Sequence, residues 1–285
     1  MATVTMKAVN VDGLRIAYRE LGEGPPALLL HGWPTSSHLW RNVMPMVARA
    51  NRAIAVDLPG FGASDKPLDR RYDFDLFERT LDVLTSELGL SKLGLVVHDI
   101  SGPIGVRWAI HNPGRVTKLA LLNTLLHPEG LSEQLMEFLQ VLTNPETQQR
   151  ITGPEGLEVV LRNGMANPSR LTPELLVAIR EPFQTEASQR ALAAAGAQLS
   201  PEGMLEIAER LPELKMPVRI IYGARDTALP VAEEFARVKR ALPHAVVTAL
   251  EDCGHFLQED APERVGSLLS DFLTESERQS TALSS

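Results

Sequence analysis

The spacing of apolar residues changes character several times along the chain, and each change predicts an element. Residues 5–22 alternate apolar and polar, with a turn at Asp12-Gly13 between Val9-Asn10-Val11 and Leu14-Arg15-Ile16-Ala17-Tyr18; this predicts an antiparallel hairpin at a sheet edge. Continuous apolar runs follow at Pro26–Leu30, Asn51–Val56, Leu95–Val97, Val116–Leu122, Val218–Gly223 and Ala245–Leu250. Such runs predict strands buried on both faces, as in a parallel sheet covered by helices. Helical spacing over Ser36–Ala50, Asp73–Leu90, Val231–Ala241 and Pro262–Leu273 supplies the connections. The expected fold class is therefore α/β, with a mostly parallel eight-stranded sheet flanked by helices.

From His127 to about Leu214 the strand pattern lapses. Leu131–Leu142, Gly156–Asn163, Pro173–Ile179, Ala187–Ala195 and Gly203–Leu211 read as helices broken by Pro, Gly and Asn. A helical cap over residues 127–214 is expected, inserted between core segments 1–126 and 215–275. Residues 276–285 are polar and Ser-rich and read as a disordered tail.

With 285 residues, 44% of them hydrophobic, the chain can bury a substantial core. A net charge of -8 without any Lys/Arg-rich run argues against nucleic acid or an anionic membrane surface as partner. Met1–Val11 lacks the basic start and apolar run of a signal peptide, and no stretch approaches the ~18 apolar residues of a membrane span. A cytoplasmic protein, monomeric or homodimeric, is expected. Cys253 is the single cysteine, so no internal disulfide can form. No metal cluster, phosphate-binding glycine loop or dinucleotide fingerprint is visible, so neither metal nor cofactor is implied.

The candidate chemistry starts at Leu95-Val96-Val97-His98-Asp99-Ile100-Ser101-Gly102, an apolar strand that ends in a polar dipeptide and passes at once into small residues and then a helix. A strand-turn-helix elbow extrudes one side chain beside the amides of the helix start, where developing negative charge can be bound. The turn wants small residues two and three positions after the extruded one. From Asp99 these are Ser101 and Gly102; from Ser101 they are Pro103 and Ile104. Asp99 is the candidate nucleophile and Ser101 the weaker alternative, although Asp at a strand-helix junction is also a common helix cap. Asp226, in Gly223-Ala224-Arg225-Asp226, and His255, in Gly254-His255-Phe256, follow later strands and so leave the same C-terminal sheet edge, where ligands of parallel sheets bind. Asp226 could alternatively open the helix start at Thr227-Ala228-Leu229-Pro230.

Nucleophile, acid, histidine is also the chain order of the α/β-hydrolases, and the chain resembles that fold over essentially its whole length. It is most similar to the aspartate-nucleophile branch, the epoxide hydrolases and haloalkane dehalogenases. His31-Gly32-Trp33-Pro34 matches the H-G-x-P oxyanion loop of that branch, Val97-His98-Asp99 its nucleophile strand, Gly223 to Asp226 its acid loop, and Gly254-His255-Phe256-Leu257-Gln258-Glu259-Asp260 its histidine segment. The resemblance implies that Asp99 attacks an sp3 carbon to give an alkyl-enzyme ester. His255, oriented by Asp226, would then activate water against that ester, while the backbone amides of Trp33 and Ile100 form the oxyanion hole.

The leaving group divides the branch. Haloalkane dehalogenases resemble one another in a Trp directly after the nucleophile and a second halide donor, commonly an Asn in the oxyanion loop or a cap Trp. Here Ile100 and Trp33 stand at the first two places and residues 127–214 hold no Trp. Ile100 and Pro103 also stand where haloacetate dehalogenases place arginines. Epoxide hydrolases share the Trp of H-G-W-P but usually protonate the epoxide oxygen from two cap tyrosines, whereas Tyr18, Tyr72 and Tyr222 all lie outside the expected cap. His127, at the cap entrance, is then the candidate proton donor. The expectation is an epoxide hydrolase acting with water on small apolar epoxides to give diols, because a missing acid is more easily replaced than a halide site. The alternative is a haloalkane dehalogenase with an atypical halide site. Weaker alternatives are a serine esterase through Ser101 and a non-catalytic ligand-binding relative. Leu135, Met136, Phe138, Leu139 and Val141, with Met165, Phe183 and Leu192 further on, are expected to supply an apolar pocket wall.

Overall fold

The computed structural model describes residues 4–197, 199 and 201–275; the tail expected at 276–285 lies outside the described residues. Eight strands form one sheet: β1 (Thr5–Val11), β2 (Leu14–Leu21), β3 (Pro26–Leu30), β4 (Arg52–Val56), β5 (Leu93–His98), β6 (Val116–Leu122), β7 (Val218–Gly223) and β8 (Val246–Leu250). Their order is β1-β2-β4-β3-β5-β6-β7-β8. Pairs β1–β2 and β2–β4 are antiparallel and the rest parallel. At the β1–β2 turn Asp12 and Gly13 take φ values of 50° and 88°, the left-handed pair that a two-residue hairpin turn requires.

Before the long insertion come α1 (Met44–Val47), α2 (Phe74–Glu87) and α3 (Ser101–His111). Between β6 and β7 lie α4 (Glu133–Thr143), α5 (Gln148–Thr152), α6 (Pro154–Gly164), α7 (Pro173–Arg180), α8 (Glu186–Ala197) and α9 (Pro201–Arg210). The chain closes with α10 (Val231–Ala241), α11 (Leu257–Asp260) and α12 (Pro262–Thr274). No described helix is long and apolar enough to cross a membrane.

The continuous apolar runs of β3, β4 and β5 are explained by two buried faces, whereas β8, also expected to be buried on both faces, is an edge strand that exposes Val246 and Val247. Leu28, Leu30, Leu95 and Val97 join Phe77, Leu81 and Trp108 of α2 and α3 on one side of the sheet. Ala27, Leu29 and Val96 join Met44, Val47, Val265 and Leu269 of α1 and α12 on the other. Alternate residues thus serve opposite cores, and β5, central in the sheet, buries all six of its residues.

The single helix expected over Ser36–Ala50 is instead a 3-10 turn at Ser37–Trp40 followed by the four-residue α1. Pro45 has no N–H to donate and is tolerated only in a first turn, so it restarts the helix rather than continuing one. α5 was not expected; its five residues, QQRIT, are too short to show a period.

Because β3 and β5 to β8 run parallel, the loops following Leu30, His98, Leu122, Gly223 and Leu250 gather at one sheet edge.

Candidate active site

Asp99 stands at the turn between β5 and α3 with φ 56°, a conformation L-residues rarely adopt and Asp tolerates better than most. The turn is held on all sides. The Asp99 amide donates to the carbonyls of Leu122 (3.3 Å) and Asn123 (3.1 Å), and the Asp99 carbonyl accepts from the Gly102 amide (2.9 Å) and Thr124 Oγ1 (2.6 Å). Glycine is required at two of its neighbours: a Cβ on Gly102 would run into the Thr124 side chain, and one on Gly32 into Asp99. Ser101 is buried; its Oγ accepts from the His98 amide (2.9 Å) and lies within bonding distance of the Leu30 (2.9 Å) and His98 (2.8 Å) carbonyls. The hydroxyl is a turn brace facing backbone, and the serine alternative is withdrawn on that ground.

The Asp99 carboxylate has two differently occupied oxygens. Oδ1 accepts from the Trp33 amide at 2.8 Å, and the Ile100 amide also hydrogen-bonds the carboxylate. Oδ2 lies 3.5 Å from Nε2 of His255. His255 Nδ1 in turn lies 2.9 Å from Oδ2 of Asp226. Oδ1 of Asp226 accepts from the amides of Ala228 (2.8 Å) and Leu229 (3.0 Å), so the carboxylate both turns its own loop and orients the ring. The three side chains expected to work together are therefore brought together, along with the two oxyanion amides.

Burial and charge oppose each other here. Burial alone would depress the His255 imidazolium, but Asp226 and Asp99 outweigh it and raise the group to about 10. Burial pushes Asp99 and Asp226 up, yet the His255 partner and nearby hydrogen bonds leave both below the ordinary carboxylate value. His31, buried in the oxyanion loop, has Nε2 facing the Leu58 amide (3.2 Å) and Nδ1 facing the Gly32 carbonyl (2.9 Å). An amide can only donate and a carbonyl only accept, so His31 is the neutral Nδ1–H tautomer and holds the loop. The Trp33-Pro34 peptide that follows is cis.

Two site residues were not anticipated. Asn123, buried at the end of β6, donates from Nδ2 to Asp226 (2.7 Å) and accepts the Gly223 amide on Oδ1 (3.0 Å). Asp260 accepts from Gly254 (2.8 Å), next to His255, and from the inserted loop's Ala166 and Asn167 amides (2.9 Å each). A polar residue ending a buried strand at the active edge was the available signal for Asn123; nothing local pointed to Asp260's partners.

A cavity of about 530 Å³ opens onto Asp99 and His255. Trp33, Ile100, Pro103 and Leu125 wall it from the core, and Leu135, Phe138, Leu139, Val160 and Met204 from the inserted helices. Of the apolar residues expected to line it, Leu135, Met136, Phe138 and Leu139 do so. Val141, Met165, Phe183 and Leu192 do not; Met165, Phe183 and Leu192 belong to buried packing clusters, and the Leu192 carbonyl accepts the Trp33 indole N–H at 3.0 Å. His127, the expected proton donor, is not on the wall. Its Nδ1 lies 2.7 Å from the buried Glu234 carboxylate, which also accepts the Leu126 amide, so the ring fastens the exit from β6. Among the described residues no group of three His, Cys, Asp or Glu side chains is placed to hold a metal.

Known proteins share this fold. A family described as the alpha/beta hydrolase fold matches residues 25–262. A haloalkane dehalogenase of Sphingobium indicum is 30% identical over 94% of this chain and 94% of its own. One of Agrobacterium fabrum is 31% identical over 94% of this chain and 92% of its own. The crystal structure of haloalkane dehalogenase DbeA from Bradyrhizobium elkani superposes with a TM-score of 0.84 at 27% identity, covering 99% of this chain and 100% of that one. The chain belongs to the α/β-hydrolase fold family, in its aspartate-nucleophile, dehalogenase-like branch of hydrolases.

Proposed function

We propose that the protein hydrolyses the carbon–halogen bond of small apolar haloalkanes, with Asp99 as nucleophile, His255 as base and Asp226 as its orienting acid. The observation that carries this choice is the cavity wall, which among the described residues holds no acid beyond the triad. Opening an epoxide generates an alkoxide, which needs a proton as the C–O bond breaks; a halide departs as a stable anion without one. Tyr18, Tyr72 and Tyr222 are off the wall and His127 is engaged by Glu234. Epoxide hydrolysis, the expectation from sequence, therefore yields to its alternative, which the dehalogenase names of the relatives also favour.

Oδ2 of Asp99 attacks the carbon that bears the halogen; the new C–O bond forms as the halide leaves with the bonding pair. Oδ1, now the ester carbonyl, stays against the Trp33 and Ile100 amides. Esterification removes the Asp99 charge, one of the charges that raise His255, so the ring releases its proton more readily and becomes a base. Water adds to Cγ of Asp99 and passes a proton to Nε2 of His255. The negative charge that gathers on Oδ1 is met by the two amides, donors worth ~3 kcal/mol each in comparable sites. Collapse breaks the Cγ–Oδ2 bond; the alcohol leaves with a proton from His255, and the Asp99 carboxyl, which has kept the water's other proton, passes it to His255 and is again a carboxylate. The sum is haloalkane plus water to alcohol, halide and a proton.

Incubation with a series of 1-haloalkanes and, separately, of apolar epoxides tests the reading. Halide release matched by the corresponding alcohol is expected. Diol formation from epoxides without any halide release from haloalkanes would overturn it.

A further inference from the structure

We propose that His98 is a positioning residue, whose ring holds the backbone of His255 so that the base stays aligned between Asp226 and Asp99. The proposal rests on the two-step reading above. His98 is the last residue of β5, directly before the nucleophile, and its side chain is entirely buried. Its Nε2 lies 3.0 Å from the carbonyl oxygen of His255, and the two imidazole rings sit 4.8 Å apart, inclined at 50°. The Phe256 ring lies 6.1 Å away.

A carbonyl oxygen can only accept, so Nε2 of His98 carries the hydrogen and Nδ1 carries the lone pair. That Nδ1 is buried without a hydrogen-bond partner among the described residues. A leucine or phenylalanine would fill the same space without stranding a polar atom, and buried polar groups left unsatisfied in this way concentrate at functional sites. What the imidazole supplies is the Nε2–H to His255. Burial, then the adjacent His255 charge, keep His98 neutral down to about pH 4, so the ring acts as a fixed donor and does not compete with His255 for protons.

The consequence for the site is geometric. His255 follows Gly254 in a loop, and a loop carries its side chain only as accurately as its backbone is held. The Gly254 amide is gripped by Asp260 from one side. The His255 carbonyl is gripped by His98 from the other. One residue of β5 therefore sets the position of the base, and the next residue of the same chain is the nucleophile.

The test compares His98→Leu, His98→Asn and His98→Gln with the unaltered protein. Glutamine can place an N–H where Nε2 stands, asparagine falls short of it, and leucine has none. The ¹⁵N titration of the His255 ring is read first because it needs no substrate. Asparagine and leucine are expected to lower its midpoint by about one unit or more, since the ring leaves its two carboxylates, while glutamine restores it. Equal midpoints in all four proteins would overturn the proposal, and the asparagine and glutamine pair decides the matter if the leucine variant does not fold. With a 1-iodoalkane, the asparagine variant is expected to alkylate Asp99 at near the normal rate and hydrolyse the ester at least about tenfold more slowly. Equal slowing of both steps would mark a merely structural role. If the unaltered protein forms no Asp99 ester at all, the functional reading falls while the titration still decides what His98 does.

Discussion

The indole N–H of Trp33 donates to the Leu192 carbonyl at 3.0 Å. The residue whose backbone amide holds Asp99 is thus fastened by its side chain to helix α8, and its ring packs edge-on against Phe138 of α4, 5.1 Å away. Gly196 makes room for the indole, since a Cβ there would lie 2.7 to 2.8 Å from it. Trp33→Phe removes this donor and its hydrogen bond to a carbonyl inside α8, worth about 0.5–1.5 kcal/mol. A fall in Tm of several degrees, together with slower ester formation, is expected from calorimetry and single-turnover kinetics. An unchanged Tm would show that the link is not made.

Since the Trp33 N–H is directed at Leu192, and Ile100 has no side-chain donor, neither of these two residues beside Asp99 offers the departing halide a side-chain hydrogen bond. Turnover is expected to fall steeply from iodide to bromide to chloride, following the intrinsic strength of the carbon–halogen bond. Ile100→Trp supplies an indole beside the leaving group; a hydrogen bond to a charged group is worth about 1.5–3 kcal/mol, which corresponds to roughly ten- to hundredfold on the chloride substrate. Rates across the three halides for both proteins check this, and a flat halide series in the unaltered enzyme would contradict it.

The fold was legible wherever both faces of an element are buried. Val116–Leu122, Val218–Gly223 and the helix Val231–Ala241 match the expected bounds to the residue, because burial on each side of a strand, or along one stripe of a helix, writes a period into the sequence. Asp99, His255 and Asp226 were legible because each follows such a strand at the same edge. Polar residues whose partners are distant in sequence were not. His127 looked free at the mouth of the insertion, but Glu234, 107 residues on, holds it; Asn123 and Asp260 gave no local sign of the loops they join. The leaving group was not legible for the same reason, since it turns on which side chains face the cavity.

Asn123→Ala withdraws the donor from Asp226 and the acceptor from the Gly223 amide in one step. A loss of about 2 kcal/mol or more in stability is expected for the stranded groups, with hydrolysis of the ester slowed more than its formation. Denaturant unfolding and burst kinetics measure the two effects. Loss of stability with both steps unaffected would show that Asn123 holds the loops without orienting the acid.

The charges at the site also set a pH dependence of stability. His255 is raised on folding, so its contribution is fully present below the ordinary value of 6.5 and is lost as pH climbs from there through about 10. Asp99 and Asp226 are lowered, so theirs is present above 3.8 and is lost as pH falls below it. The difference in Tm between the unaltered protein and His255→Gln should shrink steadily between pH 6.5 and 10. A constant difference would show that His255 is not held in its charged form.

The central claim is that Asp99 carries a covalent ester that His255 clears. Its most direct test is mass spectrometry of the His255→Gln protein after incubation with a 1-iodoalkane. A mass gain equal to the alkyl group is expected, located on the peptide that contains Asp99 and absent from Asp99→Ala. An adduct on another residue, or an unmodified protein that still releases halide, would contradict it.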